Sequence, residues 1–147
     1  MLKTLDPLLG PDLLHALAAM GHGDELAIVD ANFPGAACAR RLVRVDGADA
    51  TQVLAAVLSL LPLDDFVESP IASMAVVDAP DTLPPVVQAF QRLAEGFEAR
   101  PLVVEPLPRE HFYARAREAF AVVQTAETRL YGNVLLRKGV VRPEGPH

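Results

Sequence analysis

A chain of 147 residues, 51% of them hydrophobic, can bury one sizeable core but not two independent ones. Its 13 Lys and Arg are outnumbered by 19 Asp and Glu, giving a net charge of -6, and no basic stripe develops, which excludes the usual electrostatic footprint of a nucleic-acid partner. The single cysteine, Cys38, excludes an intrachain disulfide, and apolar runs such as Val53 to Leu58 stop at Ser59 and Pro62, short of the ~20 residues of a bilayer span.

The first residues, Met1 to Pro7, lack the uninterrupted apolar stretch of a secretory signal, so a soluble cytoplasmic protein is expected, with no membrane partner. Gly10-Pro11-Asp12 followed by Leu13, Leu14 and Leu17 predicts a helix that opens with proline in its first turn and closes at Gly21. Glu25 to Asp30 predicts a strand, flanked by Gly21 to Asp24 and by Asp30 to Pro34, two loops made of turn formers with ionisable side chains. Leu42 to Val45 predicts a second strand, closed by Asp46-Gly47. Thr51 is then the expected cap of a helix with Val53, Leu54, Val57, Leu58 and Leu61 on one face.

A buried strand is expected from Ile71 to Val77, and Asp81 or Thr82 introduces a helix at Pro84-Pro85 with Val86, Val87, Phe90 and Leu93 as its apolar stripe. Leu102-Val103-Val104 repeats the strand signal. Arg109 to Phe120 reads as a helix, and Ala121 to Thr125, a polar turn and Tyr131 to Arg137 read together as a hairpin. The alternation predicts a single three-layer α/β domain over residues 1–140, a mixed β-sheet covered by helices on both faces, followed by a loose tail at 141–147.

Four places could carry chemistry. His22 sits between two glycines on a loop whose backbone can approach a ligand closely, and an imidazole titrates near neutrality, so it is a candidate general acid; a loop histidine making one hydrogen bond is the competing reading. Asp24 beside it reads as a turn-stabilising carboxylate. Asp30 closes an apolar strand at the edge where α/β sheets hold ligands, and can accept from hydroxyls or simply cap its turn. Arg109 stands at a helix start, where the helix dipole disfavours a cation; ligand contact and plain solvation both account for it. Tyr131-Gly132-Asn133 offers a phenol, a Cβ-free residue and an amide to a polyol, or forms an ordinary turn-to-strand junction. Phe112 and Tyr113 read first as aromatic packing. There is no glycine-rich phosphate loop, nucleophile elbow or zinc-type Cys/His spacing, and His22, Asp24 and Asp30 form only an unspecific metal pattern.

Taken in order, Met1 to Leu9, Met20-Gly-His22-Gly-Asp24-Glu25, Asp30 with Phe33-Pro34, Arg44 to Gly47, Phe112 to Ala116, Ala119 to Val123 and Tyr131 to Gly139 resemble the ribose/fucose mutarotase (RbsD/FucU-like) family in its fucose branch. The resemblance covers nearly the whole chain. It implies that His22 is the proton donor and that Asp30, Arg109, Tyr131, Gly132 and Asn133 bind substrate, with Tyr113 as a secondary candidate. It further implies a free monosaccharide, L-fucose before ribose, as partner, no organic cofactor or metal, and a ring-shaped homo-oligomer such as a decamer. Asn32, where many fucose-type members carry histidine, and Ala126, where a glycine usually stands, depart from the pattern; Ala126 is expected to alter the turn before Tyr131.

Mutarotation needs only two placed proton-transfer groups, each worth ~10²–10⁴-fold, and no redox carrier. A straight strand from Glu25 to Asp30 is, however, ~20 Å long and holds His22 and Asp30 apart. Either the His22 loop folds back over the sheet or the two meet across subunits. Two other readings remain: a sugar-binding accessory module for uptake, without turnover, and a metal-dependent sugar isomerase.

Overall fold

The computed structural model describes residues 1–144; residues 145–147 of the expected tail lie outside it. Among the described residues, six short strands make one sheet: β1 (Glu25–Val29), β2 (Leu42–Val45), β3 (Ile71–Met74), β4 (Val104–Leu107), β5 (Ala121–Thr125) and β6 (Val134–Arg137), in the order β2-β5-β1-β6-β3-β4. β1 pairs in parallel with β5, β5 with β2, and β3 with β4, while β6 runs antiparallel between β1 and β3. The C-terminal ends of β1 to β5 therefore share one margin of the sheet with the entry into β6. This upper margin is where open α/β sheets place ligands.

Strand alternation sends residues to two cores. Leu26 and Ile28 of β1 join Leu13 and Leu17 of α1 (Pro11–Ala19), Leu54 and Val57 of α3 (Ala50–Leu58) and Phe90 of α4 (Pro85–Glu98). Ala27 and Val29 face the opposite way and join Phe33, beside α2 (Gly35–Cys38), and Phe112 and Ala116 of α5 (Arg109–Glu118). Helices thus cover both faces, giving the three-layer α/β domain that the sequence predicts. Phe90 and Phe112 are fully buried, and removing either ring is expected to cost about 3–5 kcal/mol.

Several local expectations change. The C-terminal pair is not a hairpin: both margins of β5 are already taken by β1 and β2, so the chain crosses above β1 through residues 126–133 and β6 pairs along the other side of β1. The cap of α3 is Asp49, whose carboxylate accepts from the Gln52 amide while Gln52 reaches back to the Asp49 amide; the Thr51 hydroxyl donates to Asp49 instead. Neither Asp81 nor Thr82 caps α4, which starts after Pro84. α1 stops at Ala19 rather than Gly21, β3 at Met74, and the strand expected at 102–104 lies at 104–107. At the start of the expected tail, Arg142 makes a forked ion pair with Asp65. No helix among the described residues is long and apolar enough to cross a membrane.

Candidate functional site

The upper margin holds a hollow of about 240 Å³. Asp30, the first residue past β1, is fixed by Asn133, the residue before β6. The Asp30 amide donates to Asn133 Oδ1 at 2.8 Å, and Asn133 Nδ2 donates to Asp30 Oδ2 at 3.1 Å. The other carboxylate oxygen accepts from the Asn32 amide. Asp30 is thereby held still with lone pairs left for a ligand donor.

The loop 126–133 is shaped by an ion pair between the buried Glu127 and the exposed Arg129. Glu127, 2% exposed, accepts from the Arg129 amide, from Arg129 Nε and Nη2, and from the Ala50 amide. A Cβ at Gly132 would lie 2.6 Å from Glu127 Cγ and 3.0 Å from the Arg129 carbonyl, so only glycine fits there. Tyr131 just before it takes a left-handed φ of 64°, which turns its ring across the hollow, and its hydroxyl accepts from the Val77 amide at 3.1 Å. The phenolic proton remains free to donate.

Arg109, in the first turn of α5, donates to the Tyr113 hydroxyl at 3.3 Å, and Tyr113 stacks on Phe33 with ring centres 5.1 Å apart. That hydrogen bond raises the Arg109 guanidinium above its ordinary pKa, so it is a permanent cation. Asp30, Arg109, Tyr113, Tyr131 and Asn133 line the hollow together, with Phe33, Met74, Val77 and Leu130 as its apolar wall. Gly132 supports it from the loop. A small hollow with an anionic acceptor, a cationic donor, phenols and one apolar side suits a compact, hydroxyl-rich ring.

His22 is not among them. It precedes β1 and lies at the lower margin, with β1 between it and Asp30. Its loop does not fold back. His22 Nε2 stands 3.0 Å from Asp64 Oδ1, the ring packs on Phe66 with centres 5.1 Å apart, and 45% of the side chain is exposed. Asp64 is 1% exposed and also accepts from the Phe66 amide and from Arg137 Nε. Burial pushes the Asp64 carboxyl up, but these three donors outweigh it and hold it below the usual carboxylate value. An ionised Asp64 can only accept, so Nε2 carries the ring proton and Nδ1 is the open nitrogen. Asp24 accepts from the Gly21 amide and shapes the loop, as its position suggests.

Comparison with known proteins decides the family. Residues 3–141 match the model of the RbsD / FucU transport protein family. The chain belongs to the RbsD/FucU family. The protein Atu2016 is 41% identical with a TM-score of 0.92, covering 97% of each chain. The fucose mutarotase of Streptococcus pneumoniae, solved in complex with L-fucose, is 42% identical with a TM-score of 0.89, over 96% of this chain and all of that one. RbsD of Bacillus subtilis, complexed with D-ribose, is 23% identical with a TM-score of 0.71 over 97% of this chain, and shares the fold.

Within this RbsD/FucU fold, Asn32 lines the hollow beside Asp30. Ala126 donates its amide to the Ala48 carbonyl, and the left-handed residue of the turn is Tyr131. Sequence reasoning missed Asp64, Phe66 and Arg137 at the lower margin, and Met74, Val77 and Leu130 in the hollow. Asp64-Asp65 between Pro62 and Phe66 was a usable signal, since acidic residues beyond a helix C-terminus have no dipole to favour them.

Proposed function

We propose that this protein is a sugar mutarotase that interconverts the α and β anomers of a free monosaccharide, L-fucose before ribose, by acid–base catalysis. The observation that carries the reading is the gathering of Asp30, Arg109, Tyr131 and Asn133 around one small hollow at the upper margin. The fucose mutarotase relative, crystallised with L-fucose, supports the choice of sugar. Asp30 and Asn133 orient hydroxyls, Arg109 and the Tyr131 phenol donate to oxygens, and Tyr113 closes the side.

Catalysis requires the proton of the anomeric hydroxyl to leave while the ring oxygen gains one; the bond between the anomeric carbon and the ring oxygen breaks to an open-chain aldehyde, which turns and recloses with the protons returned. Nδ1 of His22 is suited to serve the ring oxygen, with Asp64 holding its Nε2. Because β1 separates His22 from Asp30, the imidazole is supplied by a second copy of the chain, as in a head-to-tail ring. Phe66, 67% exposed beside His22, and Val77 and Leu130, 61% and 74% exposed at the hollow, are apolar surfaces that such a contact would cover.

The separation of His22 from the hollow also favours a second reading, a non-catalytic sugar-binding module. Saturation-exchange NMR of fucose, ribose and galactose separates the two. Accelerated exchange that drops about 100-fold or more in His22→Ala supports the mutarotase; sugar binding with unchanged exchange supports the module.

A further inference from the structure

Asp64 lies between two nitrogen-bearing side chains. His22 Nε2 and the Phe66 amide, each at 3.0 Å, take its Oδ1, and Arg137 Nε, at 3.1 Å, takes its Oδ2. Among the described residues, Arg137 is the donor to Oδ2. A buried carboxylate with a permanent cation already on one side gains little from a second cation on the other, whereas one left with an imidazole alone holds that imidazole protonated.

The backbone fixes Arg137 in this post. Its carbonyl accepts from the Asp64 amide and its amide donates to the Pro70 carbonyl, both at 2.9 Å. The guanidinium runs beneath the His22 loop, where a Cβ on Gly23 would stand 3.4 Å from Nη2, and Gly23 has a φ of 86°.

The other charges around the pair are engaged elsewhere. Asp24 accepts from Gly21, Glu25 and Glu105 face Arg115, and Lys138 donates to the Leu17 and Met20 carbonyls. Arg100 donates to the Asp64 carbonyl and lies near Glu98, Arg142 pairs with Asp65 above Phe66, and Glu68 shares a surface hollow with Arg137.

We infer that Arg137 is a positioning residue for the proton chemistry of His22: by neutralising Asp64 from the far side, it weakens the pull of Asp64 on a proton at the imidazole, while Asp64 still grips the ring. The inference rests on the reading of His22 as the proton carrier.

Nitrogen-15 NMR of the full chain tests it, with the His22 signals assigned by comparison with His22→Asn. In Arg137→Gln the proton affinity of His22 is expected to rise about tenfold, with the neutral ring still protonated at Nε2. The acid limb of the anomer-exchange profile moves with it. Unchanged affinity overturns the inference. Arg137→Lys, which keeps a cation within reach of Oδ2, is expected to return the affinity to within about twofold of the wild type, and failure to do so also counts against it. If Arg137→Gln does not fold, its combination with Asp64→Asn, which leaves no buried charge unmatched, replaces it. Against Asp64→Asn alone, the double variant is expected within about twofold, and a tenfold difference would overturn the route through Asp64. Anomer exchange by the wild type without a titration shift in Arg137→Gln sinks this inference and leaves the mutarotase; a titration shift without exchange shows the coupling through Asp64 but sinks the mutarotase and, with it, the catalytic use of that coupling.

Discussion

Asp30 and Asn133 exchange two hydrogen bonds across the gap between β1 and β6, each using a side-chain oxygen as acceptor. The exchange ties the end of one central strand to the start of its neighbour at the floor of the hollow. Asn133→Ala leaves the Asp30 amide and one carboxylate oxygen without partners. It is expected to destabilise the fold by about 1–3 kcal/mol and to weaken sugar binding. Urea denaturation together with ligand-detected NMR checks both, and wild-type stability would refute the tie.

A site assembled from two copies predicts complementation. His22→Ala and Asp30→Ala are each expected to be inactive. Dissociated, mixed in equal amounts and reassembled, they regain about a quarter of wild-type exchange, because that fraction of head-to-tail contacts unites an intact His22 with an intact Asp30. No recovery in mixtures shown to have exchanged subunits would place the whole site within one copy.

Two glycines separate ligand binding from folding. At Gly132 an added methyl meets the Glu127 side chain and the Arg129 carbonyl. Gly132→Ala is expected to shift the loop 126–133 and lower sugar affinity. At Gly139 it meets backbone, 2.5 Å from the Leu63 carbonyl oxygen and 2.9 Å from Asp64 Cα, which cannot swing aside. Gly139→Ala is expected to cost about 1–3 kcal/mol of stability. Thermal melts and affinity measurements on the two variants should rank them in opposite orders.

Acid should unfold the protein through two buried carboxyls. Burial alone would raise Asp64 and Glu127, but the Phe66 amide, His22 and Arg137 in one case and Arg129 in the other bring both below their ordinary values. The unfolded chain therefore binds these protons more tightly. Their contribution is complete above the ordinary carboxylate range near about 4 and is lost as pH falls through the lower folded values. Urea midpoints measured against pH should fall in this window, and Asp64→Asn, weaker at neutrality, should fall less. Parallel curves would contradict the assignment.

Much of the fold was legible because local signals decide it. β2 spans Leu42–Val45 and α5 begins at Arg109, as the apolar pattern and Pro108 indicate. Strand partners were not legible, since the choice of β6 between β5 and β1 depends on which margin β2 has already filled. The α3 cap could have been read from Asp49 and Gln52, three residues apart at the helix start. The upper-margin residues Asp30, Arg109, Tyr131 and Asn133 announced themselves by sitting at strand and helix ends. Asp64 did not, because its meaning comes from His22, 42 positions away.

The wide spacing of His22 and Asp30 along β1 has a consequence for how such a protein can change. Under the proposed function, the ligand is chosen at one rim and the proton is carried from the other, so a substitution at Met74, buried in the wall of the hollow, can retune selectivity without touching the imidazole. Under the shared-site reading, a solitary molecule carries two half-tools, and dilution below the assembly threshold acts as an off switch that needs no inhibitor.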